Sequence, residues 1–204
     1  MKNNDRLKKN LEQHDLFMDD MFFERCEKFT SLLKEWGKIH NLTSLNSLND
    51  HDIEANIIDS VFPLTFIDSF ESFADIGTGA GYPGMIIAMA RPDIKAVLIE
   101  PRLKRVAFLN FVKNILGLKN IEIIQKRVED VHNMSFDLIT SRAVTNTNLL
   151  LDITKNISSN DTKYLFYKGS ICEDEVFDTN IINYDIVEFG EHRNYLYIKS
   201  GVEK

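Results

Sequence analysis

Only two cysteines occur in 204 residues, and Cys26 and Cys172 stand far apart with no Cys-x-x-Cys or Cys/His cluster around them. That spacing excludes a zinc knuckle and a disulfide framework, and it leaves two reduced, packed thiols. Long apolar runs are also missing: nothing approaches the roughly 20 residues of a membrane span. The opening Met1-Lys2-Asn3-Asn4-Asp5-Arg6 is polar and leads into no signal-peptide core, so a cytoplasmic protein with no membrane partner is expected. Of His14, His40, His51, His132 and His192, none has metal-ligand spacing, and no metal is expected. Internal repeats, low-complexity tracts and Gly/Ser linkers are absent as well.

What is present is the composition of an ordinary globular chain, 44% hydrophobic and 27% charged. A chain of this length buries roughly 70% of its unfolded surface and needs no staple. One domain with a small appendage is expected. The net charge of −7 argues against a nucleic-acid partner, but the average hides a segregation. From Arg91 to Arg127 nine basic residues face three acidic ones, so that span carries +6 and the remainder −13. Two readings stand side by side: a local face for phosphates, or the solvated faces of helices and turns.

The first 70 residues read as helical. Phe22, Cys26, Phe29, Leu33 and Trp36 recur at spacings of three and four, with Met18, Met21 and Leu32 widening the stripe. Further helices are expected from Arg6 to Phe17 and from Asp52 to Val61, with caps and turns in the polar run Asn41 to Asp50. After residue 70 strands alternate with helices. Candidate strands are Ser72–Ile76, Lys95–Ile99, Ile121–Gln125, Phe136–Thr140, Lys163–Tyr167, Tyr184–Phe189 and Tyr195–Lys199. Helices fit at Pro83–Arg91, Leu103–Leu116 and about Asn146–Asn156. The early strands are short and apolar, as a sheet covered on both faces requires. The last two flank a short turn at Gly190-Glu191-His192 and predict an antiparallel edge hairpin. The fold expected is a Rossmann-like α/β class I methyltransferase, with a seven-stranded, mostly parallel sheet and an N-terminal helical extension. Residues 1–70 would form a helical cap and residues 71–204 the methyltransferase-like sheet domain.

The densest chemistry lies in Asp75-Ile76-Gly77-Thr78-Gly79-Ala80-Gly81-Tyr82-Pro83-Gly84, between a strand end and a helix start. Gly79, Gly81 and Gly84 fit a Gly-x-Gly-x-x-Gly corner, a weak signal alone. Asp75, on the strand itself, adds information: a carboxylate there suits a cationic ligand end, the amino group of a methionine moiety, better than a pyrophosphate. Glu100 closes the second strand, where an acid can accept from ribose hydroxyls. Val128 and Glu129 follow the third strand, where a backbone amide and a carboxylate can reach an adenine edge. Arg142 ends the fourth strand at the crevice edge, its forked donors suited to a carboxylate or phosphate. A bland alternative accompanies each: Glu100 in solvent, Glu129 as a cap, Arg142 paired with Glu129 or Asp75.

Absent residues narrow the acceptor. No Asn/Asp-Pro-Pro-aromatic tetrad serves an exocyclic amine, and no Pro-Cys nucleophile serves a pyrimidine carbon. A ring nitrogen with a free lone pair, such as guanine N7, needs neither.

The chain resembles the bacterial RsmG (GidB) family of 16S rRNA guanine-N7 methyltransferases. The likeness is carried by Trp36-Gly37-Lys38-Ile39-His40-Asn41-Leu42-Thr43, Ile58-Asp59-Ser60, Phe73 to Gly84, Lys104-Arg105-Val106-Ala107-Phe108-Leu109, Arg127-Val128-Glu129, Ser141-Arg142-Ala143 and Lys168-Gly169. It implies that Gly77, Tyr82, Val128, Glu129 and Arg142 contact S-adenosylmethionine, with Arg142 serving catalysis. The implied substrate is a guanine in the 530 loop of 16S rRNA, in the small ribosomal subunit. Lys104, Arg105 and Lys168 become candidates for RNA contact, and a monomer is expected. Two positions depart from the family pattern: Tyr82 stands where an aliphatic residue or Phe is usual, and Asn56 where His is usual. Other acceptors (a protein or a small molecule) stay open on the residues alone. So does a non-catalytic RNA-binding or ribosome-assembly factor. An NAD-dependent oxidoreductase fits worst, because Asp75 would meet the pyrophosphate.

Overall fold

The computed structural model describes residues 3–40, 42, 48–169, 172–177, 179, 181–191 and 193–199. Asn41 and Thr43 of the Asn-Leu-Thr element, and His192 of the edge turn, lie outside the described residues.

Three helices come first: α1 (Asn3–Glu12), α2 (Asp20–His40) and α3 (Asp50–Val61). The α1 helix stops five residues short of the expected Phe17. Asp15 adopts a left-handed φ of 58°, and the amides of His14 and Leu16 turn back to the Leu11 carbonyl. Asp19 accepts from the Phe22 amide at 2.7 Å and opens α2, and Asn49 accepts from the Asp52 amide at 2.9 Å and opens α3. The stripe on α2 is buried at Phe22, Cys26, Phe29, Leu32 and Leu33, with Trp36 and Met18 packed at its margin. Met21 is a correction: it is 54% exposed, because three and four positions on it shares a face with Glu24 and Arg25, and Phe23 fills the core instead.

The strands are β1 (Ser72–Ile76), β2 (Lys95–Ile99), β3 (Ile121–Ile124), β4 (Leu138–Arg142), β5 (Lys163–Lys168), β6 (Tyr184–Phe189) and β7 (Arg193–Ile198). They form one sheet in the order β3-β2-β1-β4-β5-β7-β6, parallel through β5 and antiparallel at β7 and β6. The expected fold class is therefore present. Strand β4 starts two residues later than the sequence pattern suggests. Asp137 turns aside there to accept from the amides of Glu71 and Ser72, each at 2.9 Å, and ladder pairing begins at Leu138.

Alternation divides the core. Phe73, Leu98, Leu138, Leu165, Tyr167, Tyr195 and Tyr197 point to one face, where α1 to α3, α4 (Gly84–Ala90) and α5 (Leu103–Leu116) cover them. Ala74, Val97, Ile139, Phe166 and Leu196 point to the other, under α6 (Thr147–Ile153) and α7 (Cys172–Phe177). The N-terminal helices thus share one continuous core with the sheet.

Parallel strands also sort the chain into two rims. The segments after β1 to β5 gather at the carboxyl rim, and those before them at the opposite rim. This splits the basic run. Arg102, Lys104, Arg105, Lys126 and Arg127 follow strands, whereas Arg91, Lys95 and Lys119 lie at the far edge, Arg91 engaging Asp93 there.

Candidate cofactor site

The carboxyl rim is centred on the glycine corner. After β1 the Gly77 amide donates to the Ile99 carbonyl at 2.8 Å, and the amides of Gly81 and Tyr82 turn back to the Thr78 carbonyl. Gly77, Gly79 and Gly81 all have positive φ. Gly84 is required for a different reason. A Cβ there would lie 2.4 Å from Leu98 Cδ2 and 2.6 Å from the Asp75 side chain.

That contact explains Asp75. Its carboxylate is fully buried, with Oδ2 accepting the Gly84 amide at 2.9 Å and Oδ1 the Thr140 hydroxyl at 2.8 Å. Asp75 and Thr140 are register partners on β1 and β4, so both point to the helical-cap face. Asp75 therefore ties strand to loop, whereas the sequence suggested a direct partner for a cationic ligand end. Burial pushes its carboxyl up to about 6, against the opposing pull of the Thr78, Thr140 and Gly84 hydrogen-bond donors and the Arg142 charge.

Glu100, buried at the end of β2, accepts the Gly79 amide at 3.0 Å on Oε2 and the Arg102 amide at 2.9 Å on Oε1. Arg105 reaches Oε2 at 3.4 Å. A carboxylate offers about four acceptor directions, so one on Oε1 stays open to a hydroxyl. Arg105 thereby belongs to the glycine corner, and Lys104 beside it is exposed. Val128 is buried in a 3-10 turn, Val128–Asp130, after β3. Glu129 is exposed in that turn, and its carbonyl accepts from the Asn156 side chain at 3.1 Å.

Arg142 closes β4 on the cap face. Neither Asp75 nor Glu129 pairs with it. Its Nη1 donates to Asn56 Oδ1 at 2.7 Å and to Asp59 Oδ2 at 3.1 Å, both on α3, and its guanidinium lies 5.0 Å from the Tyr82 ring centroid. Tyr82 is buried against Phe29 of α2, and desolvation raises its phenol. Lys168 is buried, with Nζ donating to the Thr145 carbonyl at 3.2 Å, which braces the segment after β4 instead of presenting a charge to solvent.

Sequence reasoning gave no site role to Thr140, Arg193 or Tyr195, and it marked Asn56 only as a departure from the family pattern and Asp59 only as part of a shared element. Asp59 Oδ1 accepts from the Tyr195 hydroxyl at 2.8 Å and forms an ion pair with Arg193 Nε at 2.8 Å. The available signal was positional: Asn56 and Asp59 are three apart on a helix, and Arg193 and Tyr195 two apart on a strand. Among the described residues no group of three or more His, Cys, Asp or Glu is arranged to hold a metal ion, and no helix is long and apolar enough to cross a membrane.

The family profile described as GidB, rRNA small subunit methyltransferase G, matches residues 23–186. The chain belongs to this family. A methyltransferase G of the small-subunit rRNA from Aliarcobacter butzleri is 58% identical over 193 residues, 95% of this chain and 98% of that protein. Its namesake from Wolinella succinogenes is 44% identical over 196 residues, 96% of this chain and 98% of the other. Among solved structures, a SAM dependent methyltransferase from Aquifex aeolicus aligns with a TM-score of 0.57 at 20% identity, covering 79% of this chain and 96% of its own. A SAM-dependent O-methyltransferase from Thermotoga maritima aligns with a TM-score of 0.58 at 12% identity, covering 72% and 66%. At those identities the likeness shows the fold.

Proposed function

We infer that the protein transfers a methyl group from S-adenosylmethionine to N7 of a guanine in the 530 loop of 16S rRNA, in the small ribosomal subunit. One observation carries the reading within this family: Glu100 accepts the Gly79 amide and the Arg142 guanidinium lies over the Tyr82 ring, so both groups bear on the same glycine corner. Among the described residues nothing engages Arg142 Nε or Nη2, so a donor fork remains for a carboxylate. The open acceptor on Glu100 suits a ribose hydroxyl, and Gly77 and Tyr82 line the approach. Val128 and Glu129 would meet the adenine edge through the 3-10 turn. These residues fit S-adenosylmethionine.

When bound, that cofactor supplies an electrophilic methyl on a sulfonium. The protein then has to align an acceptor lone pair with it, and orientation of this kind is worth about 7–11 kcal/mol. No proton needs removal from guanine N7, which agrees with the commitment of Asp75 and Glu100 to backbone amides. Arg102, Lys104, Lys126 and Arg127 at the same rim suit the phosphates of the RNA. Residues 1–70 act as a cap that shapes the crevice over the 71–204 methyltransferase domain. An rRNA substrate supports a cytoplasmic enzyme, and a monomer is part of the same proposal.

The test is transfer of labelled methyl to small-subunit RNA lacking the modification, with naked RNA, partly assembled and mature subunits side by side. Label at guanine N7 is expected on at least one of them. Label at an exocyclic amine, or on protein alone, overturns the assignment.

A further inference from the structure

We propose that Asn56 and Asp59 are positioning residues for Arg142: helix α3 grips one amino group of its guanidinium and so aims the opposite edge at the carboxylate of the cofactor. The proposal rests on reading Arg142 as a cofactor ligand. Asn56 and Asp59 lie three apart and therefore side by side on one helix face. Nη1 has two hydrogens, and both are used, one on Asn56 Oδ1 at 2.7 Å and one on Asp59 Oδ2 at 3.1 Å. The Tyr82 ring supports the guanidinium at 5.0 Å.

A bidentate structural ion pair uses the Nε/Nη2 edge. Arg91 does so in this same molecule, taking Asp93 with Nε at 2.9 Å and Nη2 at 2.7 Å. Arg142 spends only Nη1 on its partners. Its Nε/Nη2 edge, the bidentate one, makes no hydrogen bond or ion pair among the described residues. The clamp is itself fixed. Tyr195 and Arg193 each hold Asp59 Oδ1 at 2.8 Å, and Arg193 Nη1 donates to the Lys168 carbonyl at 3.2 Å. Register explains the assembly: Arg142, Tyr167 and Tyr195 are successive partners across β4, β5 and β7, on the face that α3 covers. The Tyr167 hydroxyl also donates to the Ser60 carbonyl at 2.8 Å, which docks the end of α3 on the sheet. A ligand edge whose freedom is removed beforehand binds more tightly.

Titration calorimetry with two ligands tests this. S-adenosylhomocysteine carries the amino-acid end, and 5′-methylthioadenosine has the nucleoside and sulfur without it. Asn56→Ala is expected to weaken S-adenosylhomocysteine about 10-fold, the scale of one hydrogen bond to a charged group, and to leave methylthioadenosine within about twofold. Asn56→Asp, which keeps an oxygen in place, should restore binding, and Arg142→Ala sets the largest selective loss. Equal weakening of both ligands, or of neither, overturns the clamp. Failure of the unsubstituted protein to bind S-adenosylhomocysteine would instead overturn the cofactor reading beneath it.

Discussion

Replacing Asp75 by Asn should make the protein more stable at neutral pH, and the gain should vanish in acid. The side chain is fully buried between the Gly84 amide at 2.9 Å and the Thr140 hydroxyl at 2.8 Å. An amide can satisfy both, its oxygen accepting from Gly84 and its nitrogen donating to Thr140. The Thr140 hydroxyl hydrogen then turns to the Ala74 carbonyl, 3.5 Å away. Burial raises the folded carboxyl from 3.8 to about 6, so the native state keeps a proton that the unfolded chain has lost. The associated stability is complete below the unfolded value and is lost as pH rises through the folded one. A displacement of two pH units corresponds to about 3 kcal/mol, of which about 2 kcal/mol falls between pH 4.5 and 7.5. Urea denaturation of both proteins across that range reads the difference directly. The advantage of Asp75→Asn should grow by that amount with rising pH. A flat difference would refute the account of a desolvated carboxylate. The same variant should bind S-adenosylhomocysteine within a few-fold of the parent; a loss beyond about 10-fold with unaltered stability would return Asp75 to direct cofactor contact.

Gly84→Ala is expected to lower the urea midpoint by about 1–3 kcal/mol of stability and to abolish cofactor binding, because its Cβ would strike Leu98 and Asp75 at 2.4 and 2.6 Å. An unchanged midpoint would show that the loop yields. Lys104→Ala should reduce the slope of log affinity for rRNA against log salt by about 0.7–0.9, one phosphate contact. Lys168→Met should leave that slope alone, since the buried ammonium holds the Thr145 carbonyl. The reverse pattern in a salt series of filter-binding measurements would make Lys168 the phosphate ligand.

The strands were legible wherever periodicity and turn chemistry agreed: β1, β2 and β6 match the sequence pattern in full, and α5 runs from Leu103 to a left-handed Gly117 cap. Where a side chain took over a backbone duty or the backbone itself turned left-handed, the reading slipped. Asp137 delayed β4, and Asp15 cut α1 short. The position of each crevice residue followed from strand ends, since a carboxyl-end residue must lie at the ligand rim. Its partners did not follow. Sequence reports the Asp75 charge and not its burial, and it offered Glu129 or Asp75 as the alternative partners of Arg142. Its actual partners arrive from α3, more than 80 residues earlier in the chain.

The basic run shows the same limit in another form. Counted along the chain, Arg91 to Arg127 is one patch of +6. Each β-α unit, however, carries the chain from one rim of the sheet to the other and back, so a run spanning two units must contribute to both. Only the part after β2 and β3 can face a ligand at the crevice, and it includes Arg105, which the structure turns onto Glu100 at 3.4 Å. The charge available to RNA is therefore smaller than the sequence suggests and lies beside the cofactor corner. Precision at the reacting centre has to come from elsewhere. On the proposal made above it would come from α3, whose Asn56 and Asp59 hold Arg142 and which shares one core with the sheet.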